Sequence, residues 1–218
     1  MNSYARSYKI PEEGVMGFFV ESAAAPDEKR HAASLIEQAR VLSLLYDIGK
    51  ELTSILDLDS LLRRVGERVK SLVDYDLFSV MILNLDTNRL EHALALKYDE
   101  RVHARKTLAL GEGLCGTAAL ERKAVRVSQV GSDPRYVSCD ISAGIQSELV
   151  VPLIAQDRVL GVLDLESLRA DAFTEEHEQM LTTLASTVAI AFENARLVGE
   201  FRSELNERLE GLNLGPHS

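Results

Sequence analysis

The chain contains no tryptophan, only two cysteines and only five prolines among 218 residues. Two cysteines cannot build the disulfide framework of a small secreted domain, so a reducing, cytoplasmic setting is the expectation. Thirteen glycines exclude collagen-like and low-complexity chains. No apolar run approaches the ~20 residues of a bilayer span. Residues 14–20, which follow Pro11, Glu12 and Glu13, lack the charged-then-apolar layout of a secretory leader. Positive charge is also scarce: 24 Lys and Arg against 34 Asp and Glu leave a net charge of −10. A binder of nucleic-acid phosphates needs the opposite balance, so neither a nucleic acid nor a membrane is an expected partner. The five histidines, His31, His92, His103, His177 and His217, never fall at paired ligand spacing, and on that basis no metal site is expected.

What remains is an ordinary globular composition, 46% apolar, enough for one sizeable core. Residues 1–28 hold Pro11, Pro26 and the small-residue run Ser22–Ala25 and show no period, so a poorly ordered tail is expected there. From 29 to 56 the period is helical, with Leu35, Ala39, Leu42, Leu45, Ile48, Leu52 and Ile55 at threes and fours. Asp59 reads as the N-cap of a second helix striped by Leu62, Val65, Val69 and Leu72.

The pattern then turns to strands. Residues 77–83 form a β-type apolar run. Asp86, Thr87 and Asn88 make a turn, and Leu90, His92, Leu94 and Leu96 alternate. Val125 and Val127 mark a short strand, and residues 149–154 and 159–165 read as an antiparallel hairpin. The irregular stretch 131–145 is long for a compact domain, which points to a functional loop. Thr174 caps a last helix whose seam, Leu181, Leu184, Val188, Ala191, Ala195, Val198, Leu205 and Leu209, runs for about four heptads. The order of elements predicts an α+β domain with an antiparallel sheet and helices on one side.

Several segments together resemble a known family. They are Gly111-Glu112-Gly113-Leu114-Cys115-Gly116, Asp133-Pro134-Arg135-Tyr136, Ser147-Glu148-Leu149-Val150-Val151-Pro152-Leu153, Gly161-Val162-Leu163-Asp164-Leu165-Glu166-Ser167, Ala172-Phe173-Thr174-Glu175-Glu176 and Ile190-Ala191-Phe192-Glu193-Asn194-Ala195-Arg196. In this order they resemble the GAF domain, the small-molecule sensor module of signalling proteins, over roughly residues 40–197. The resemblance implies a GAF-like fold with about six antiparallel strands and the N- and C-terminal helices packed on one face. It also implies a ligand pocket on the opposite face, and a homodimer formed through the terminal helices that relays ligand state to an output partner or domain. The expected organisation is a tail over 1–28, a dimer helix over 29–56, the GAF domain over 57–197, and a coiled-coil extension and tail over 198–218.

The expected ligand-binding residues are Tyr136, Cys139, Asp140, Ser147, Glu148, Val151, Asp164 and Glu166. Neither the ligand nor any cofactor is named by the sequence. A covalent tetrapyrrole does not fit, because neither cysteine precedes a histidine. The segment 111–118 and the pair Cys139-Asp140 also resemble the free methionine-(R)-sulfoxide reductases, an enzymatic GAF subclass. That resemblance implies Cys139 as nucleophile and Cys115 as its resolving partner, with Glu148, Asp164 and Glu166 as pocket carboxylates. The longer Cys139–Glu148 spacing, the absence of an aromatic opening to the first strand and the long flanking helices all separate this chain from that subclass. The sensor is therefore the primary expectation and the reductase the alternative.

Overall fold

The computed structural model describes residues 26–104 and 106–213. Two units divide after Leu44. Of the first, the described part is the beginning of helix α1, Pro26–Thr53. The tail expected over 1–28 lies outside the described residues up to position 25, and Pro26 already opens the helix, where its missing N–H costs nothing.

The second unit begins with the end of α1, which buries Leu45, Ile48 and Leu52. Helix α2, Leu58–Leu72, follows. Its cap is Asp57 rather than Asp59: the Ser60 amide donates to Asp57 Oδ2 at 2.9 Å. The aspartate three positions before an amide is the one whose carboxylate reaches it. Asp59 sits inside the first turn, where the helix dipole favours an anion, and pairs with Arg63 and Arg101.

One antiparallel sheet follows, made of β1 Leu77–Asn84, β2 Arg89–Lys97, β3 Glu100–Arg101, β4 Leu108–Ala109, β5 Val125–Val127, β6 Ser147–Ala155 and β7 Arg158–Ser167. The order is β3-β2-β1-β7-β6-β5, with β4 paired to β2. The sheet has seven strands where about six were expected; β3 and β4, two residues each, are too short to show a period. The hairpin β6–β7 is closed by Gln156 and Asp157, both at positive φ (47° and 62°), as a two-residue type I′ turn requires.

Strand alternation sorts the side chains into two layers. Phe78 and Leu96 point at α2, where a Cβ on Gly66 would meet both. Leu165 is registered opposite Phe78, and Leu149 opposite Arg126, whose guanidinium pairs with Glu178 of the last helix. Leu149, Val151, Leu163 and Leu165 therefore face the helices. Val150, Val162, Met81 and Leu90 face the other way, into a second cluster with Leu114, Cys115 and Ala118 of α3, Gly113–Glu121.

The last helix, α4, runs Glu175–Asn213 and begins with the His177 amide donating to Thr174 Oγ1 at 3.2 Å. Its expected seam divides in two. Leu181, Leu184, Val188, Ala191 and Ala195 are buried in this domain's core, whereas Val198 is only half-buried and Leu205 is exposed. The side chain of Leu209 lies outside the described residues. Among the described residues of α4, Ile190, Leu197, Phe201 and Leu205 are exposed apolar groups at spacings of seven, four and four, on a face that adjoins the seam and shares Leu205 with it. None of the described helices is long and apolar enough to cross a membrane.

Candidate functional site

The site lies on the sheet face away from α2 and α4. Its floor is the β6–β7 pair, which places Glu148 opposite Glu166 in register, with Asp164 two residues earlier on β7 and on the same face. Ser79 on β1 is registered with Asp164 and donates to its Oδ2 at 3.1 Å. The first turn of α3 supplies one wall. There the chain turns at Gly111 (φ 84°), and a Cβ on Gly116 would stand 2.3 Å from the Ala109 carbonyl oxygen, so only glycine lets α3 pack this close. That packing buries Cys115 against the carboxylates.

Residues 129–146 form the roof. Val130 donates to the Gln146 carbonyl and Gln146 to that of Ser167, both at 2.8 Å, which pins the base of the loop. Lys97 Nζ donates to the Ile141 carbonyl at 2.8 Å and Lys106 Nζ to that of Ser138 at 2.7 Å. Beneath this roof is a cavity of about 30 Å³. Cys115, Cys139, Ser142, Glu148, Asp164 and Glu166 line it, together with His92 and Met81 of the central strands. Both thiols are free. Cys139 Sγ lies 2.9 Å from Ser142 Oγ, and that hydroxyl donates to Glu166 Oε1 at 2.9 Å.

Three carboxyl groups and a thiol buried together cannot all ionise. Burial, reinforced by Asp164 and Glu166, pushes Glu148 well above the usual carboxylate range. Burial, then the Asp164 charge, does the same to Glu166. Burial raises Asp164 to about 6 despite the opposing hydrogen bond from Ser79. Burial, then Asp164 and Glu148, raises the Cys115 thiol. One oxygen of Asp164 (Oδ1), one of Glu166 (Oε2) and Nδ1 of His92 are buried without a hydrogen-bond partner.

Of the expected ligand-binding residues, Cys139, Glu148, Asp164 and Glu166 line the cavity. Val151 does not: it is an odd step from Glu148 on β6 and points at the helices. Ser147 faces away for the same reason, its hydroxyl donating to the Arg169 carbonyl at 2.6 Å. Asp140 is exposed at the loop surface. Tyr136 packs on the apolar cluster beside the cavity, where burial raises its hydroxyl pKa. Asp133 and Arg135 close a local turn, with three hydrogen bonds from Arg135 to one carboxylate. Ser79, Ser142 and His92 were not singled out by the sequence. Ser79 and His92 look like ordinary alternation on strands, and nothing in the spacing of a loop serine indicates that it turns inward.

A family profile for the GAF domain matches residues 55–193. The chain belongs to that family. Among curated relatives, Protein YtsP of Bacillus subtilis is 37% identical over 81 residues, which are 37% of this chain and 48% of that protein. The free methionine-R-sulfoxide reductase of Escherichia coli is 35% identical over 79 residues, 36% of this chain and 47% of the enzyme. The chain thus spans about half the length of these curated relatives. Among solved structures, free methionine-R-sulfoxide reductase from Neisseria meningitidis in complex with its substrate matches with a TM-score of 0.64 at 25% identity, over 74% of this chain and 93% of that one.

Proposed function

We propose that this GAF domain is a regulatory module that binds a small positively charged ligand beneath the 129–146 loop. The observation that carries this reading is the pair of buried acceptor oxygens, Asp164 Oδ1 and Glu166 Oε2, left without partners in the cavity region. A buried acceptor without a donor costs about 1–3 kcal/mol, which a cationic ligand recovers on binding. The relay would run through α4. Its exposed face of Ile190, Leu197, Phe201 and Leu205 suits a second copy of the helix better than water. Thermal unfolding of the full chain against a panel of amines, amino acids and metal ions tests the ligand reading. A stabilising ligand whose effect shrinks in Asp164→Asn and Glu166→Gln supports it. Ligands indifferent to both changes would put binding elsewhere.

One observation favours a second reading, reduction of free methionine-R-sulfoxide: both thiols line the same cavity, and Cys139 is tied through Ser142 to Glu166. In that cycle the Cys139 sulfur takes oxygen from the sulfoxide, giving methionine and a sulfenic acid. The Cys115 thiol then attacks it, releasing water and forming a disulfide, which an external dithiol reduces. Glu166, whose burial beside Asp164 favours its neutral form, would supply the proton to the sulfoxide oxygen as it leaves methionine.

A further inference from the structure

We infer that Cys115, Glu148 and Asp164 form a binding site for a thiophilic divalent transition-metal ion of the zinc class. This inference rests on the ligand-binding reading and names the chemistry of its ligand. One ligand atom from each of the three residues lies within 4.8 Å of the others, and all three residues are buried. Around a single zinc ion, with metal–sulfur near 2.3 Å and metal–oxygen near 2.1 Å, such atoms stand roughly 3.5 Å apart. The difference, about 1 Å at most, lies between side-chain atoms on positions that α3, β6 and β7 already hold together.

A second observation is independent of this clustering. Asp164 is only 4% exposed and Glu166 only 5%, and each keeps one buried oxygen without a partner. His92, also in the cavity wall, has its buried Nδ1 without one. Lys97 and Lys106, which lines the cavity, donate to loop carbonyls and make no hydrogen bond to these acid oxygens. The cavity of about 30 Å³ holds an ion with one or two waters, whereas pockets for drug-sized ligands run to about 300–1,000 Å³. The donor set selects among ions. Calcium and magnesium take oxygen ligands, whereas a thiolate beside carboxylates favours zinc, ferrous iron or cobalt. On binding, the Cys115 S–H proton and any proton held on Glu148 or Asp164 leave to solvent as the metal–sulfur and metal–oxygen bonds form, and no electron is transferred.

The test is an anaerobic titration of the reduced, chelator-treated full chain with divalent cobalt, read by absorbance. The expected result is a near-ultraviolet thiolate-to-cobalt band that saturates at one equivalent and is bleached by zinc. Cys115→Ser abolishes that band. Glu148→Gln and Asp164→Asn each weaken the titration by about tenfold or more. Should Cys115→Ser fail to fold by circular dichroism, the two carboxamide variants decide the matter. No thiolate band in the folded parent overturns the inference, as does a band that survives Cys115→Ser or titrates unchanged in both carboxamide variants. The broader ligand reading fails separately. An organic cation that stabilises the metal-free chain through Asp164, where cobalt gives no thiolate band, overturns the metal and keeps the ligand site. If neither metals nor organic cations stabilise the chain, both fail.

Discussion

Ser79 and Asp164 face each other across β1 and β7, and the Ser79 hydroxyl donates to Asp164 Oδ2 at 3.1 Å. This bond holds one oxygen of the most central carboxyl group and leaves its other oxygen turned to the remaining acids. The position of the charge is thereby set, while the charge itself is costly in the absence of a cation.

Stability should therefore fall as pH rises through the mildly acidic range. Asp164, raised to about 6, and Glu148 and Glu166, raised well above 4.5, bind protons in the native state that the unfolded chain has already released. Raised acids stabilise most at low pH and lose that contribution as pH climbs through their folded values. Asp57, Asp59, Asp74, Glu112 and Asp133, whose pKa values are lowered, are ionised in both states above about pH 5 and contribute no slope there. His92, lowered by burial, works in the opposite sense. Melting of the metal-free chain should be higher at about pH 5 than at about pH 8, and Asp164→Asn should flatten the difference. A steeper slope in that variant would contradict this account.

At neutral pH, Asp164→Asn should stabilise the metal-free chain by about 1–3 kcal/mol, since it removes a buried charge and keeps an acceptor for Ser79. The same substitution should weaken any Asp164-dependent ligand. Denaturant midpoints and ligand-induced shifts, read on the same samples, would show the two effects moving in opposite directions.

Gly116→Ala should cost more than about 2 kcal/mol, because its Cβ would meet the Ala109 carbonyl oxygen at 2.3 Å with backbone on the other side. Gly131→Ala, with nothing near its Cβ, serves as the control and should melt like the parent.

Phe201→Glu combined with Leu205→Glu should leave the domain folded and convert a dimer to a monomer by light scattering. Both side chains are exposed, at 65% and 45%, so neither supports the core. A parent that is already monomeric, or a variant that stays dimeric, would remove this face from the relay.

Thiol turnover separates the two functional readings. The regulatory reading expects no reduction of free methionine-R-sulfoxide in a coupled assay with a thioredoxin-class dithiol. Turnover that disappears in Cys139→Ser would establish the reductase cycle instead.

The motif order from Gly111 to Arg196 and the hairpin of β6 and β7 make the GAF fold legible in the chain itself. The carboxylates of the site are legible too, since Glu148, Asp164 and Glu166 stand in recognisable strand segments. The face is harder. Val151 differs from Glu148 by an odd step, and one residue of register reverses inside and outside on a strand. The last helix is ambiguous for a related reason: a single apolar seam describes both core and exposed positions, and only packing separates Ala195 from Leu205. The grouping of Cys115 with Glu148 and Asp164 is not contained in spacing at all. Its members come from α3, β6 and β7, and histidine periodicity says nothing about them.

The roof is fastened through its backbone. Lys97 and Lys106 grip it through the carbonyls of Ile141 and Ser138, which every amino acid possesses. Substitutions at those two positions therefore leave the latch intact. Selection can rewrite the loop's side chains, and with them the taste of the site, without having to reinvent how the loop is fastened.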